Sequence, residues 1–173
     1  MKTLSKFLPV FATLILLFPD PSFPDELKIT KVYDGDTVKA QEGDTVIYIM
    51  LLGIDAPEVC QKTKKEGQPF GHAAQKFLSD LILNKLVKVQ GYGKAPHPHE
   101  NIISVLYVNN KNVNLEMVRQ GLAEVQRQNL PPNFDIAPFL KAEEEARLGR
   151  KGIWMLGDRY VSPAEWRKRQ RGG

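Results

Sequence analysis

Carboxylates gather in two short runs of this sequence, Asp34-Gly35-Asp36-Thr37 and Leu51-Leu52-Gly53-Ile54-Asp55-Ala56-Pro57-Glu58, about twenty residues apart. Each run follows a stretch with strand character, so folding can bring Asp36, Asp55 and Glu58 to one end of a small β-structure. Oxygen donors collected there suit a hard divalent cation and an activated water. Asp36, Asp55 and the carbonyl of Ala56 are the candidate cation ligands. Glu58, three residues beyond Asp55 with Pro57 stiffening the path between them, is placed to take a proton from water. Asp34 reads as a turn residue, because Asp-Gly is strong hairpin chemistry. Met50, which leads into the second run, is a poor choice for a site that must grip an anion.

Strands, one helix, further strands and then helices must position these residues. Ile29 to Tyr33 reads as a strand entering the Asp34-Gly35 hairpin, and Gly43-Asp44 marks a second turn. Thr45 to Leu52 is β-branched and apolar, which predicts a buried central strand. Ala73, Ala74, Phe77, Leu78, Leu81 and Ile82 form one helical face, with Asn84 ending the helix. Leu86 to Val89 and Ile102 to Val108 predict two more strands. Val113 to Gln120 predicts a short helix closed by Gly121, Leu122 to Val125 an extended segment, and Asp135 to Leu148 a polar helix. Ser162-Pro163-Ala164-Glu165 is a capping box with Pro at the first helical position. The order is α+β rather than alternating βαβ. Five short strands interrupted by one helix fit a five-stranded OB-type Greek-key β-barrel with packed α-helices and a C-terminal helical extension, a fold whose open face commonly binds oligonucleotides or oligosaccharides.

Composition is globular, with 42% hydrophobic and 25% charged residues and a net charge of +4. That charge permits nucleic-acid or anionic-surface binding without demanding it. Lys2 and Lys6 precede an uncharged apolar stretch from Phe7 to Phe18, too short to span a bilayer, which takes about 20 residues. It reads as a signal peptide or, uncleaved, as an N-terminal anchor. The expected location is therefore exported: secreted or periplasmic, or tethered by that segment, which is the one route to a membrane. Residues 1–24 are assigned to this segment and its linker, 25–155 to the barrel domain and 156–173 to a basic C-terminal helical tail. Cys60, the one cysteine, can form no intramolecular disulfide. His97 and His99 lie in a Pro-rich loop with no third ligand in view, so they read as solvated. The Arg167 to Arg171 cluster reads as a solvated tail.

Taken together, Asp34 to Thr37, Leu51 to Glu58, the run Val113-Asn114-Leu115-Glu116-Met117-Val118-Arg119-Gln120-Gly121-Leu122-Ala123, and Gly152-Ile153-Trp154 resemble the thermonuclease, or staphylococcal-nuclease-like, family. The resemblance spans Leu27 to Trp154, and four pieces in order at suitable spacing make it specific. It implies an OB barrel, calcium-dependent hydrolysis of phosphodiester bonds in DNA or RNA, metal ligation by Asp36, Asp55 and the Ala56 carbonyl, and Glu58 as general base. It also exposes departures. Family members place an arginine five residues before the second metal aspartate, where this chain has Met50. They place another in an Asp-Arg-Tyr-Gly-Arg motif that, aligned without gaps, puts Ile103 at the arginine position. Neither side chain offers donors, and a bidentate arginine has no close substitute. Tyrosines that often follow the Gly-Leu-Ala segment are replaced by Gln126-Arg127-Gln128-Asn129. Lys62, Lys64 and Arg127 are the candidate phosphate contacts that remain; Lys65 lies beside the first two. Three readings follow: a weakened or lost nuclease, a non-catalytic module binding nucleic acid or another polyanion, and a protein-interaction module. No small-molecule cofactor is evident, and the oligomeric state is not legible.

Overall fold

Alternation of apolar and polar residues in Glu26-Leu27-Lys28-Ile29 builds a strand with one buried face, and the same logic sets the rest of the sheet. The computed structural model describes residues 26–59, 67–95 and 101–171. The N-terminal apolar segment, Cys60, Lys62, Lys64, Lys65, His97 and His99 lie outside the described residues.

Strand β1 (Glu26–Val32) pairs antiparallel with β2 (Thr37–Glu42) across the Asp34-Gly35 turn. Its alternation breaks at a register shift between Ile29 and Lys31, where Thr30 Oγ1 donates to the Lys39 carbonyl. The extra residue lets Val32 face the core despite its odd spacing from Ile29. Strand β3 (Thr45–Leu51) pairs with β2 along most of its length and, in parallel, with β6 (Ile102–Val108) through Ile49 to Leu51. That second pairing closes the barrel. With β5 (Leu86–Lys94) between β1 and β6, the strand order is β3-β2-β1-β5-β6, returning to β3. This is the expected five-stranded OB barrel in an α+β fold.

The sequence predicts β3 to be buried throughout, and here the structure differs. Val46 and Tyr48 are 46% and 44% exposed, whereas Ile49 and Leu51 are buried. The outer half of β3 has β2 on one side and no β6 partner on the other, so only its inner half lies in the closed wall.

Two short ladders carry the rest of the connectivity. Strand β4 (Ile54–Asp55) pairs with β8 (Glu124–Val125), and β7 (Lys111–Asn112) extends β6. Helix α1 (Gly71–Ile82) buries Ala74, Leu78 and Ile82 against the barrel; Asn84 follows in the left-handed conformation and donates its backbone N–H to Ile29. Helix α2 (Val113–Arg119) is capped by Asn112, whose side chain accepts from the Leu115 N–H. Helix α3 (Ala137–Leu148) starts two residues later than Asp135, which instead accepts the Ala137 N–H. A 3₁₀ segment (Gly152–Arg159) and helix α4 (Pro163–Arg171) complete the chain.

The core joins barrel and helices through Leu27, Ile29, Ile49, Leu78, Leu106 and Met117, all fully buried. The chain after α3 is stitched back onto the end of α2. Ile153 N–H donates to the Gly121 carbonyl, and a Cβ on Gly152 would lie 2.0 Å from that oxygen. Gly121 and Gly152 both have positive φ, so neither position tolerates a side chain readily.

Candidate functional site

The β1–β2 turn is organised by Asp34, as its sequence predicts. Its Oδ1 accepts the backbone N–H of Asp36 at 3.0 Å and of Thr37 at 2.6 Å. The Asp36 carbonyl accepts from Leu51 N–H, which ties the turn to β3. The Asp36 carboxylate takes two bonds of its own: Thr37 Oγ1 donates to Oδ1 at 2.9 Å, and the Ala56 N–H donates to Oδ2 at 2.7 Å. The second bond joins the two acidic runs directly. A close backbone approach makes this contact possible, since a Cβ on Gly35 would sit 2.6 Å from the Ala56 methyl and 2.8 Å from that of Ala74.

The second run is fixed from three sides. Leu52 N–H donates to the Ser104 carbonyl. Asn114, wholly buried, donates through Nδ2 to the carbonyls of both Leu52 and Ser104 and accepts the Leu106 N–H on Oδ1. Asp55 is then held opposite Glu124 in the β4–β8 ladder. Further on, Gln68 and Glu58 exchange bonds: Glu58 N–H donates to Gln68 Oε1 and Gln68 N–H to the Glu58 carbonyl. Gly71 lets α1 start against that carbonyl, which a Cβ would approach to 2.4 Å. The structure therefore brings Asp36, Asp55, Ala56 and Glu58 to one end of the barrel.

Burial pushes the Asp36 carboxyl well above the usual carboxylate range, and the charges of Asp34 and Asp55 add to the rise; the Ala56 N–H opposes it. A carboxylate desolvated beside other acids is one that a hard dication would relieve, and every donor in the set is oxygen. Among the described residues no group of three or more His, Cys, Asp or Glu side chains is gathered to hold a metal by itself. A cation here would draw on the carboxylates of Asp36 and Asp55 and on a backbone carbonyl. Such an all-oxygen set is of the kind a hard dication takes.

One participant is absent from the sequence-based reading. Arg167 of α4 lays its guanidinium across the second run. Nη1 and Nη2 donate to Asp55 Oδ1 and Oδ2 at 2.9 and 2.7 Å, and Nη1 also reaches Glu58 Oε1 at 2.6 Å. The basic tail is thus no free solvated appendage at this residue. These hydrogen bonds, Asp55's first, hold the guanidinium above even an arginine's ordinary value despite its desolvation. The segment before α4 is anchored by Gln68 Nε2 donating to the Val161 carbonyl and by Tyr160, whose hydroxyl donates to Glu124. Burial, then the hydrogen bond it donates to Glu124, raises the Tyr160 phenol far above its usual value.

Other expected residues fall differently. Met50 and Ile103 are register partners across β3 and β6, so the two positions lie side by side as an apolar pair without donors. Arg127 is held by Glu143 and donates to the Val125 carbonyl at 2.8 Å. Glu143, 3% exposed, also accepts the Val125 N–H and lies 3.5 Å from Arg147, which stacks on Trp154.

Comparison with known proteins agrees with this geometry. The family profile described as staphylococcal nuclease homologue matches residues 48–156. A Haemophilus influenzae protein named uncharacterized endonuclease is 32% identical over 146 residues, covering 83% of this chain and 74% of the relative. A probable endonuclease LCL3 of Paracoccidioides lutzii is 31% identical over 148 residues, 78% of this chain and 42% of the relative. One of the same name from Pyricularia oryzae is 31% identical over 137 residues, 76% of this chain and 52% of the relative. The chain thus spans only about half the length of these fungal relatives.

Proposed function

Because the chain belongs to the family of staphylococcal nuclease homologues, we propose that it is a calcium-dependent phosphodiesterase acting on DNA or RNA, with its rate lowered by the loss of two phosphate-gripping arginines. The observation that carries this reading is the bond from Ala56 N–H to Asp36, which fuses the two acidic runs into one site with Glu58 alongside. Asp36, Asp55 and the Ala56 carbonyl would hold the cation. When bound, calcium supplies positive charge to the phosphodiester and makes a nearby water a better nucleophile. Glu58 accepts the proton of the attacking water as its oxygen bonds to phosphorus, the bond from phosphorus to the leaving oxygen breaks, and that oxygen takes a proton from solvent. Gln68 holds the Glu58 backbone in place for that transfer. Met50 and Ile103 contribute no donors to the developing charge, and each missing donor costs about 100- to 1000-fold.

Chelator-sensitive cleavage of DNA or RNA by the purified full chain, abolished in Glu58→Gln, is the expected result. No cleavage, and none gained by Met50→Arg with Ile103→Arg, would overturn it. The apolar Met50–Ile103 pair favours a second reading, a binding module that engages nucleic acid or another polyanion without cutting it. Salt-sensitive binding to single-stranded DNA in the absence of cleavage supports that alternative. Export belongs to the same proposal. It rests on the basic and apolar N-terminal residues, and fractionation of cells expressing the full chain tests it. Among the described residues no helix is long and apolar enough to cross a membrane.

A further inference from the structure

We propose that α4 is a displaceable strap, in which the Arg167 guanidinium occupies Asp55, a candidate cation ligand, together with the neighbouring base Glu58, and is released when the cation binds. The inference rests on the metal reading above and adds to it a competitor built into the chain.

Three observations carry it. First, the guanidinium engages both oxygens of Asp55, a candidate ligand, together with an oxygen of Glu58, the candidate base. The two groups on which the proposed chemistry depends are thus occupied by one side chain. A cation drawing on Asp55 must share or replace that fork. Second, the charge does not balance. Among the described residues no other Lys or Arg pairs with Asp55 or Glu58. One positive charge faces two carboxylates, so a dication neutralises them better than the arginine does.

Third, among the described residues α4 has little else to hold it. Pro163 is its only buried residue, and Trp166 lines a small cavity of about 40 Å³ with Gln68, Ile153 and Tyr160. Its other ion pair among the described residues, Arg169 with Glu165, is internal to the helix and exposed. The chain just before it is pinned at Tyr160 and Val161. Release would therefore move residues 163–171 and leave the 3₁₀ segment in place. An element with few buried contacts, held by one polar clasp, opens at low cost.

Competition must run both ways: a cation that displaces Arg167 loosens α4, and removing Arg167 tightens cation binding. The test is calorimetric titration of the full chain and of Arg167→Gln with calcium alone, paired with hydrogen exchange of residues 163–171 in the unsubstituted protein. We expect Arg167→Gln to bind calcium at least about tenfold more tightly, within the range usual for coupled sites. Exchange in 163–171 should rise with calcium occupancy while α1 and α2 stay protected. The exchange measurement needs no variant, so it decides the matter even where the substitution disturbs folding. Equal affinities with unchanged exchange overturn the strap and leave the metal reading standing. Weaker calcium binding in Arg167→Gln also overturns it, in favour of an arginine that works alongside the cation. Calcium binding by neither protein overturns the metal reading and the strap together.

Discussion

Around Glu143, two arginines serve one acid; around Asp55 and Glu58, one arginine serves two. The Glu143 side chain is 3% exposed, takes Arg127 and Arg147, and also accepts the Val125 N–H. Asp55 and Glu58 are 16% and 33% exposed, and they share Arg167. The two clusters flank β8, whose Glu124 faces Asp55 and whose Val125 bonds to Glu143. Their difference separates structure from chemistry. A buried acid with excess positive charge and a backbone donor is finished, and there is nothing left for it to bind. Two half-open acids with too little positive charge are unfinished and can take a ligand.

Substitutions can break that contrast. The largest effect expected is at Glu58. Removing a general base costs about 100- to 10,000-fold, so Glu58→Gln should lose cleavage to that extent, provided the unsubstituted chain cleaves. Its urea midpoint should move little, because Arg167 is partly exposed and half-open ion pairs contribute little. Glu143→Ala should behave in the opposite sense. It leaves the Val125 N–H without its acceptor and a gap beneath α3, destabilising the fold by about 2–3 kcal/mol in urea unfolding. Any residual cleavage at low temperature should keep its calcium dependence.

Smaller effects sharpen the comparison. Arg127→Ala should cost no more than about 1 kcal/mol, because Arg147 remains on Glu143 and the lost partner is half exposed. A larger loss would mean that Glu143 is not over-supplied. Glu124→Gln tests the strand between the clusters. Burial raises the Glu124 carboxyl, and the Tyr160 hydroxyl partly offsets the rise. A raised carboxyl contributes its full stability below its unfolded value and loses it as pH climbs through its folded value. Glu124→Gln, fixed in the neutral state, should therefore gain thermal stability relative to the unsubstituted chain as pH rises above the ordinary glutamate value of about 4.3. The reverse trend would show the ionised acid to be welcome there.

Much of this arrangement is legible in the sequence, because most of it is local. Asp34-Gly35 predicts its own turn, Ser162 to Glu165 its own helix start, and apolar alternation the faces of β1 and β2. The acidic site is legible for a related reason: Asp36 and Asp55 each follow a strand, and strands joined by a hairpin lie side by side. The Thr30 irregularity and the exposed outer half of β3 are not legible, since both depend on which strand lies alongside. Arg167 is the clearest case. Its meeting with Asp55 spans 112 residues of chain, and nothing about a run of arginines near a C-terminus states which acid one of them will reach. Asn114 belongs with it. The residue lies within a recognisable run, but its task of clasping Leu52 to Ser104 appears only once α2 packs beneath the barrel.

The glycine stitch between residues 121 and 152 has a consequence for this competition. It fixes the 3₁₀ segment to the end of α2, and the pins at Tyr160 and Val161 carry that anchorage to the start of α4, so the arginine is presented from nearby instead of from a long loose tail. Short tethers give effective concentrations on the order of millimolar. Any ion entering the site from solution meets a rival already present at that strength. Whether the acids are open is then a comparison between the ion content of the surroundings and a local concentration written into the chain by its anchors, from the two glycines to Val161.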